Sequence, residues 1–167
     1  MVENINQFAK TFSDPPERTR ASSRGLVVEN GKILLSFEEN TGVYMSPGGG
    51  LENGETLEEC CIRELQEETG YIINPIKHFV VINEYCFETL YISNYFICER
   101  IGVDKQALTE IEIEHGIKPV WIDFDKALEI FGEYDTKRED IASLYLREYT
   151  VLKKYINAVI NNESNDF

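Results

Sequence analysis

Residues 49–71 read GGLENGETLEECCIRELQEETGY, and this stretch decides the fold. Thr56 followed three residues later by Glu59 is a capping box, in which each side chain satisfies the other residue's free backbone N–H. Leu57, Cys61 and Leu65 then recur at i, i+4 and i+8 and give the helix one apolar face. Gly70 stands where a C-cap glycine belongs. On the helix so bounded, Glu64, Glu67 and Glu68 fall at i, i+3 and i+4, which sets three carboxylates on one face with Cβ atoms about 5–6 Å apart. Like charges this close are destabilising unless something positive lies over them. Arg63 supplies one such charge. A bound Mg²⁺ or Mn²⁺ would supply more, because hard divalent cations prefer carboxylate oxygen. Gly48-Gly49-Gly50 lets the backbone approach an ion or a phosphate closely, so the Gly49 carbonyl is a further candidate ligand. A phosphate-binding P-loop is excluded, because Gly54 is followed by Glu55 and not by Lys.

Outward from the helix the chain reads as mixed α and β. Asn30-Gly31 between Leu26-Val27-Val28 and Ile33-Leu34-Leu35 is a strong hairpin signal. A short strand is expected around residues 43–46, two longer strands within 72–100 meeting near Glu88, and another over 118–122. Asp123 is placed to cap a short helix through Phe131. Thr136-x-x-Glu139 looks like a second capping box, opening a C-terminal helix over about 137–161 with an apolar stripe from Ile141 to Ile160. Residues 1–20 are polar without a clear period and read as an arm, residues 21–161 as the domain, and 162–167 as a frayed tail. The fold class is α/β (α+β), in layers around one core.

With 167 residues the chain suggests one domain. It carries 16 Lys+Arg against 30 Asp+Glu, a net charge of −14. That balance argues against long nucleic acids and against anionic membrane surfaces as partners. It leaves room for a small anionic substrate if a divalent cation mediates. No apolar run is long enough to span a bilayer, and no secretory signal is visible. The cysteines Cys60, Cys61, Cys86 and Cys98 form no CxxC pair and read as reduced thiols, which places the protein in the cytoplasm.

The pattern Gly49-x5-Glu55-x7-Arg63-Glu64-Leu65-x-Glu67-Glu68-x-Gly70-Tyr71 resembles the Nudix box. Seven fixed Gly, Glu and Arg positions at ordinary residue usage coincide by chance on the order of 10⁻⁸ per window. Tyr71 is the one departure, at a position that is usually aliphatic and should pack against the core. The resemblance implies an α-β-α sandwich with a mixed β-sheet, and a hydrolase of nucleoside diphosphates linked to another moiety, or of nucleoside triphosphates. It implies that Glu64, Glu67 and Glu68 hold Mg²⁺ or Mn²⁺ and that Arg63 orients them. It further implies that Glu55 holds the loop against the helix. Glu112, in the acidic segment 109–115, is a candidate general base. His115 reads as a loop residue. The family also makes a homodimer an expectation.

Marks of substrate class lie outside the box. No proline occurs between Pro75 and Pro119, so the mark of ADP-ribose hydrolases is absent, as are the NADH-type and coenzyme A motifs. Tyr85 and Tyr91 straddle the position where dinucleoside polyphosphate hydrolases often carry a tyrosine. A nucleotide-binding sensor without catalysis is an alternative reading. So is an isopentenyl-diphosphate-isomerase-like enzyme, for which Cys86 or Cys98 would have to serve; the intact box speaks against both.

Overall fold

The computed structural model describes residues 1–163. Strands β1 (Glu3–Phe12), β2 (Arg18–Glu29), β3 (Lys32–Glu38), β4 (Val43–Met45) and β5 (Gly48–Gly50) precede helix α1 (Leu57–Thr69). Then follow β6 (Tyr71–Phe87), β7 (Thr89–Val103), α2 (Glu110–His115), β8 (Ile117–Asp123), α3 (Phe124–Gly132), a 3₁₀ turn at Tyr134–Thr136, and α4 (Glu139–Glu163). Asn30 and Gly31 take the positive φ values, 51° and 75°, that their hairpin demands.

The strands form one mixed sheet in the order β1-β6-β7-β2-β3-β4, with β5 added to β2 and β8 to β3. β1 runs parallel to β6 and β2 parallel to β7; the other pairings are antiparallel. Alternation along the central strands divides the core in two. Val27, Leu34, Ile73, Phe96 and Cys98 face α1, where Cys61 and Leu65 are buried against them. Leu26, Ile33, Leu35, Val80, Ile82 and Tyr95 face the other side, under Phe131 of α3 and Leu152 of α4. This is the expected α-β-α sandwich. Complete burial of Leu65 contributes about 1.5–3 kcal/mol, enough to hold α1 and its carboxylates in register.

Four expectations are corrected. Residues 1–20 are not a loose arm, because Glu3–Phe12 is a strand whose backbone pairs with β6 from Glu3↔Val80 to Phe8↔Tyr85. Ile5 packs on the core, and the buried Gln7 amide donates to the Ser143 carbonyl at 2.8 Å. Thr136 and Glu139 form no capping box: the Thr136 hydroxyl donates to the Glu133 carbonyl, and the Glu139 carboxylate accepts from the N–H and hydroxyl of Thr11 in β1. Asp123 sits at the N-cap of α3 but makes no side-chain cap, since its carboxylate accepts from Lys32 Nζ at 2.6 Å. The last helix reaches Glu163, so residues 162 and 163 of the expected tail are helical and the remainder lies outside the described residues.

Candidate active site

α1 begins and ends as its sequence dictates. Thr56 Oγ1 accepts from the Glu59 N–H, the Glu59 carboxylate accepts from the Thr56 N–H at 2.8 Å, and Gly70 closes the helix at φ 73°. The first positions of the motif lie on β5, which adds to β2 through Ser23↔Gly49 and Arg24↔Gly48. The quoted stretch is therefore a short strand, a loop and a helix, all anchored on β2.

Arg63 organises the surface of α1. Its Nε and Nη2 hold Glu55 in a bidentate pair at 2.7 and 3.0 Å, and Nη2 also donates to the Gly50 carbonyl at 3.1 Å. Its Nη1 donates to Glu64 at 2.8 Å and Glu67 at 3.1 Å. One guanidinium thus ties the loop to two of the three clustered glutamates. Hydrogen bonding from Arg63 holds the Glu55 carboxyl down to about 2.

The carboxylates differ in surroundings. Glu68 is buried and accepts from Ser36 Oγ at 2.7 Å and from the Gly48 N–H at 3.1 Å. Burial nevertheless pushes its pKa up to about 7. Burial also raises Glu64, against the pull of Arg63. Gly49 matters sterically: a Cβ there would lie 2.6 Å or less from all three atoms of the Glu64 carboxyl group. Glu64, Glu68 and Glu112 each present an oxygen such that the three lie within 4.8 Å of one another. Two are buried and one partly buried. Such a set repels itself when ionised, and its hard oxygen donors fit Mg²⁺ or Mn²⁺.

Glu64 and Glu68 stand in the cluster. Glu67 does not; its carboxylate rests on Arg63 and is one-third exposed. Glu112 joins from α2, where it also caps Thr109, accepting from its N–H at 2.7 Å. The segment is thus a capped helix and not a free acidic loop. His115, at its end, lies 2.7 Å from Glu38 and away from the cluster's ligand set. The Gly49 carbonyl is approached by the buried Cys60 thiol at 3.5 Å. Tyr71 packs edge-on to Trp121 and accepts from its Nε1 at 3.1 Å, as its place in the box requires.

Other residues around the site were not read from sequence. Ser36 and the Gly48 N–H serve Glu68 from distant strands, and nothing local marks them. Under β4 and β5, Glu148 of α4 is fully buried, accepting from Ser46 Oγ at 2.6 Å, Tyr95 Oη at 2.9 Å and Arg147 Nη2 at 3.0 Å. Burial opposes its ionisation, but Arg147 and Arg24 outweigh that and hold its pKa low. A readable signal existed: Glu148 interrupts an apolar stripe, four residues from both Leu144 and Leu152.

Comparison with known proteins accords with this geometry. A family profile described as the NUDIX domain matches residues 19–144. ADP-ribose pyrophosphatase of Bacillus subtilis (strain 168) is 30% identical over 142 residues, covering 79% of this chain and 72% of that protein. The uncharacterized Nudix hydrolase YvcI of the same organism is 49% identical over 45 residues, 26% of this chain and 28% of its own length. Where such matches are confined to short segments, the chain spans under a third of the relatives' length. Among solved structures, the NUDIX hydrolase from Nitrosomonas europaea aligns with a TM-score of 0.60 at 24% identity, covering 80% of this chain and 89% of that one, a likeness of fold. A glycine-bounded helix bearing clustered glutamates, on this sheet and with these relatives, defines the class: the chain belongs to the Nudix family.

Proposed function

We propose that this chain is a hydrolase dependent on Mg²⁺ or Mn²⁺ that cleaves a phosphoanhydride bond of a small nucleotide, either a nucleoside diphosphate linked to another moiety or a nucleoside triphosphate. The observation that carries the reading is the convergence of Glu64, Glu68 and Glu112 beside Gly49. Glu64 and Glu68 would hold the ion; Glu67, whose carboxylate rests on Arg63, and the Gly49 carbonyl are further candidate ligands that the box resemblance implies. When bound, such an ion neutralises charge on the transferring phosphoryl group and lowers the pKa of water. Arg63 keeps Glu64 and Glu67 aimed and, through Glu55, fixes the loop to the helix. Gly70 ends the helix so that Glu67 and Glu68 fall in its last turn. Glu112 is the proton acceptor for the attacking water: it comes from a separate element, and α2 sets it opposite α1.

Among the described residues no helix is long and apolar enough to cross a membrane, and the four cysteines are free. These features support a cytoplasmic setting. The test is a nucleotide panel with Mg²⁺, assayed for phosphate, pyrophosphate and mononucleotide, on the wild type and on Glu64→Gln and Glu67→Gln. The reading expects metal-dependent turnover that falls in the variants. Absence of hydrolysis of every member, or turnover unchanged in both variants, would overturn it.

A further inference from the structure

A cavity of about 490 Å³ opens on the α4 face of the sheet, within the range of small-ligand sites. Gly49 and Gly50 form part of its wall, so it is continuous with the loop that carries the carboxylate cluster. The opposite wall is arginine: Arg20 and Arg24 from β2 and Arg147 from α4. Arg20 and Arg24 lie four residues apart on one strand and face the same way, about 13 Å apart at 3.3 Å per residue. Between them lies Ser22, opposite Ser93.

Arg20 and Arg24 stand apart from the other arginines. The chain has seven arginines and a net charge of −14. Arg18, Arg63, Arg100, Arg138 and Arg147 are each ion-paired with a carboxylate. Among the described residues Arg20 and Arg24 are the two without such a pair, and both line this one cavity. Arg24 is also fixed in place: its Nη1 donates to the Ser46 carbonyl at 2.9 Å, while its buried Nε has no partner. Arg147 is 4% exposed and braced by Tyr95 and Glu148. Arg24 feels the charges of the buried Glu68 and Glu148 without a direct ion pair to either, and its buried Nε–H lacks an acceptor; with the exposed Arg20 on the same wall, guanidinium N–H donors are left over for an anion. The rest of the wall is mostly hydroxyls and glycine, with Ala21, Leu51 and the single aromatic ring of Tyr91 as its apolar part.

We infer that this cavity binds a polyphosphate chain, and that the substrates are nucleotides with three or more phosphates rather than nucleoside diphosphates ending in a neutral sugar. The choice of substrate rests on the hydrolase reading above; the anion site itself does not. Arginine suits this role because its fork engages phosphate oxygens in a bidentate way. The carboxylate cluster and the arginine wall would then grip successive phosphates on either side of Gly49.

The first experiment titrates inorganic triphosphate into the metal-free protein in EDTA, by calorimetry, so that the carboxylate cluster contributes no bridging ion. The wild type is expected to bind it saturably at one site. Arg20→Gln and Arg24→Gln are each expected to weaken that binding tenfold or more, and Arg20→Lys to retain more of it than Arg20→Gln. Arg20 is exposed, so its variants fold irrespective of the inference, which thermal denaturation verifies. The second experiment compares kcat/KM with Mg²⁺ for a nucleoside triphosphate, a dinucleoside tetraphosphate and a nucleoside diphosphate sugar. The triphosphate and the tetraphosphate are expected to lose at least tenfold in Arg20→Gln, mainly through KM, and the sugar nucleotide to change less than threefold. The two arms also separate a mononucleotide from a dinucleotide substrate. No saturable binding by the wild type, or equal binding by both Gln variants, overturns the anion site even if the protein hydrolyses nucleotides. Preference for the sugar nucleotide overturns the substrate class. Triphosphate binding through both arginines without hydrolysis of any nucleotide upholds the anion site and overturns the hydrolase reading instead.

Discussion

Replacing Gly49 by Ala perturbs the proposed metal seat without touching a carboxylate. The added methyl would sit 2.6 Å or less from the three atoms of the Glu64 carboxyl group, where ordinary contact begins near 3.4 Å. The obstacle is the tip of a side chain, so the fold is spared: Glu64 swings aside and Gly49 keeps its strand pairing with Ser23. The carboxylate must move by about 1 Å, and a misplacement of that size costs on the order of 10²-fold in rate. That corresponds to about 2.7 kcal/mol of transition-state stabilisation, at 1.36 kcal/mol per tenfold. The assay is Mg²⁺-dependent release of mononucleotide, with thermal denaturation run in parallel. The expected result is a hundredfold loss of kcat with a melting temperature within a few degrees of wild type. Turnover within threefold of wild type, in a folded variant, would refute the view that Glu64 must occupy the space beside Gly49.

Glu112→Gln should lower kcat by about 10²–10⁴-fold with little change in KM, as expected for loss of a general base; the check is steady-state kinetics at saturating Mg²⁺. Glu55→Gln should destabilise the protein at pH 7 by releasing Arg63. A carboxylate held down to about 2 contributes its stability above the ordinary value of 4.5 and loses it as pH falls through 2. The gap in melting temperature between wild type and Glu55→Gln should therefore persist above pH 4.5 and close between there and pH 2, as followed by circular dichroism. Glu148→Ala leaves the buried Arg147 with only the longer 3.9 Å pairing to Glu84, and leaves Ser46 and Tyr95 without their acceptor, and should cost about 3–5 kcal/mol. At about 2–4 °C per kcal/mol for a chain of this size, calorimetry should show a fall of about 6–20 °C.

What could be read from the sequence was what is local. The caps and apolar face of α1 involve partners within four residues, and so does the hairpin at Asn30-Gly31. The contrast between Thr56-Glu59 and Thr136-Glu139 shows the limit. The same spacing makes a box in one place; in the other, Thr11 of β1 takes the glutamate. β1 escaped notice because it is an edge strand with a polar face, held by backbone pairing and by inward Ile5 and Gln7, so its hydropathy does not alternate. The box glutamates could be nominated from spacing. That Glu112 approaches Glu64 and Glu68 depends on how β6, β7 and α2 return the chain to α1. The arginine wall is equally topological, drawing residues from β2 and α4 onto one face of the sheet.

Glu64 and Glu68 are the residues that would hold the divalent ion, with Glu112 beside them as the proton acceptor. Titration of Mn²⁺ into the protein, followed by electron paramagnetic resonance of the free ion, tests the metal seat without reference to any substrate. Saturable binding to the wild type is expected, weakened at least tenfold in Glu64→Gln and in Glu68→Gln. No saturable binding, or an affinity unchanged by both substitutions, would contradict it.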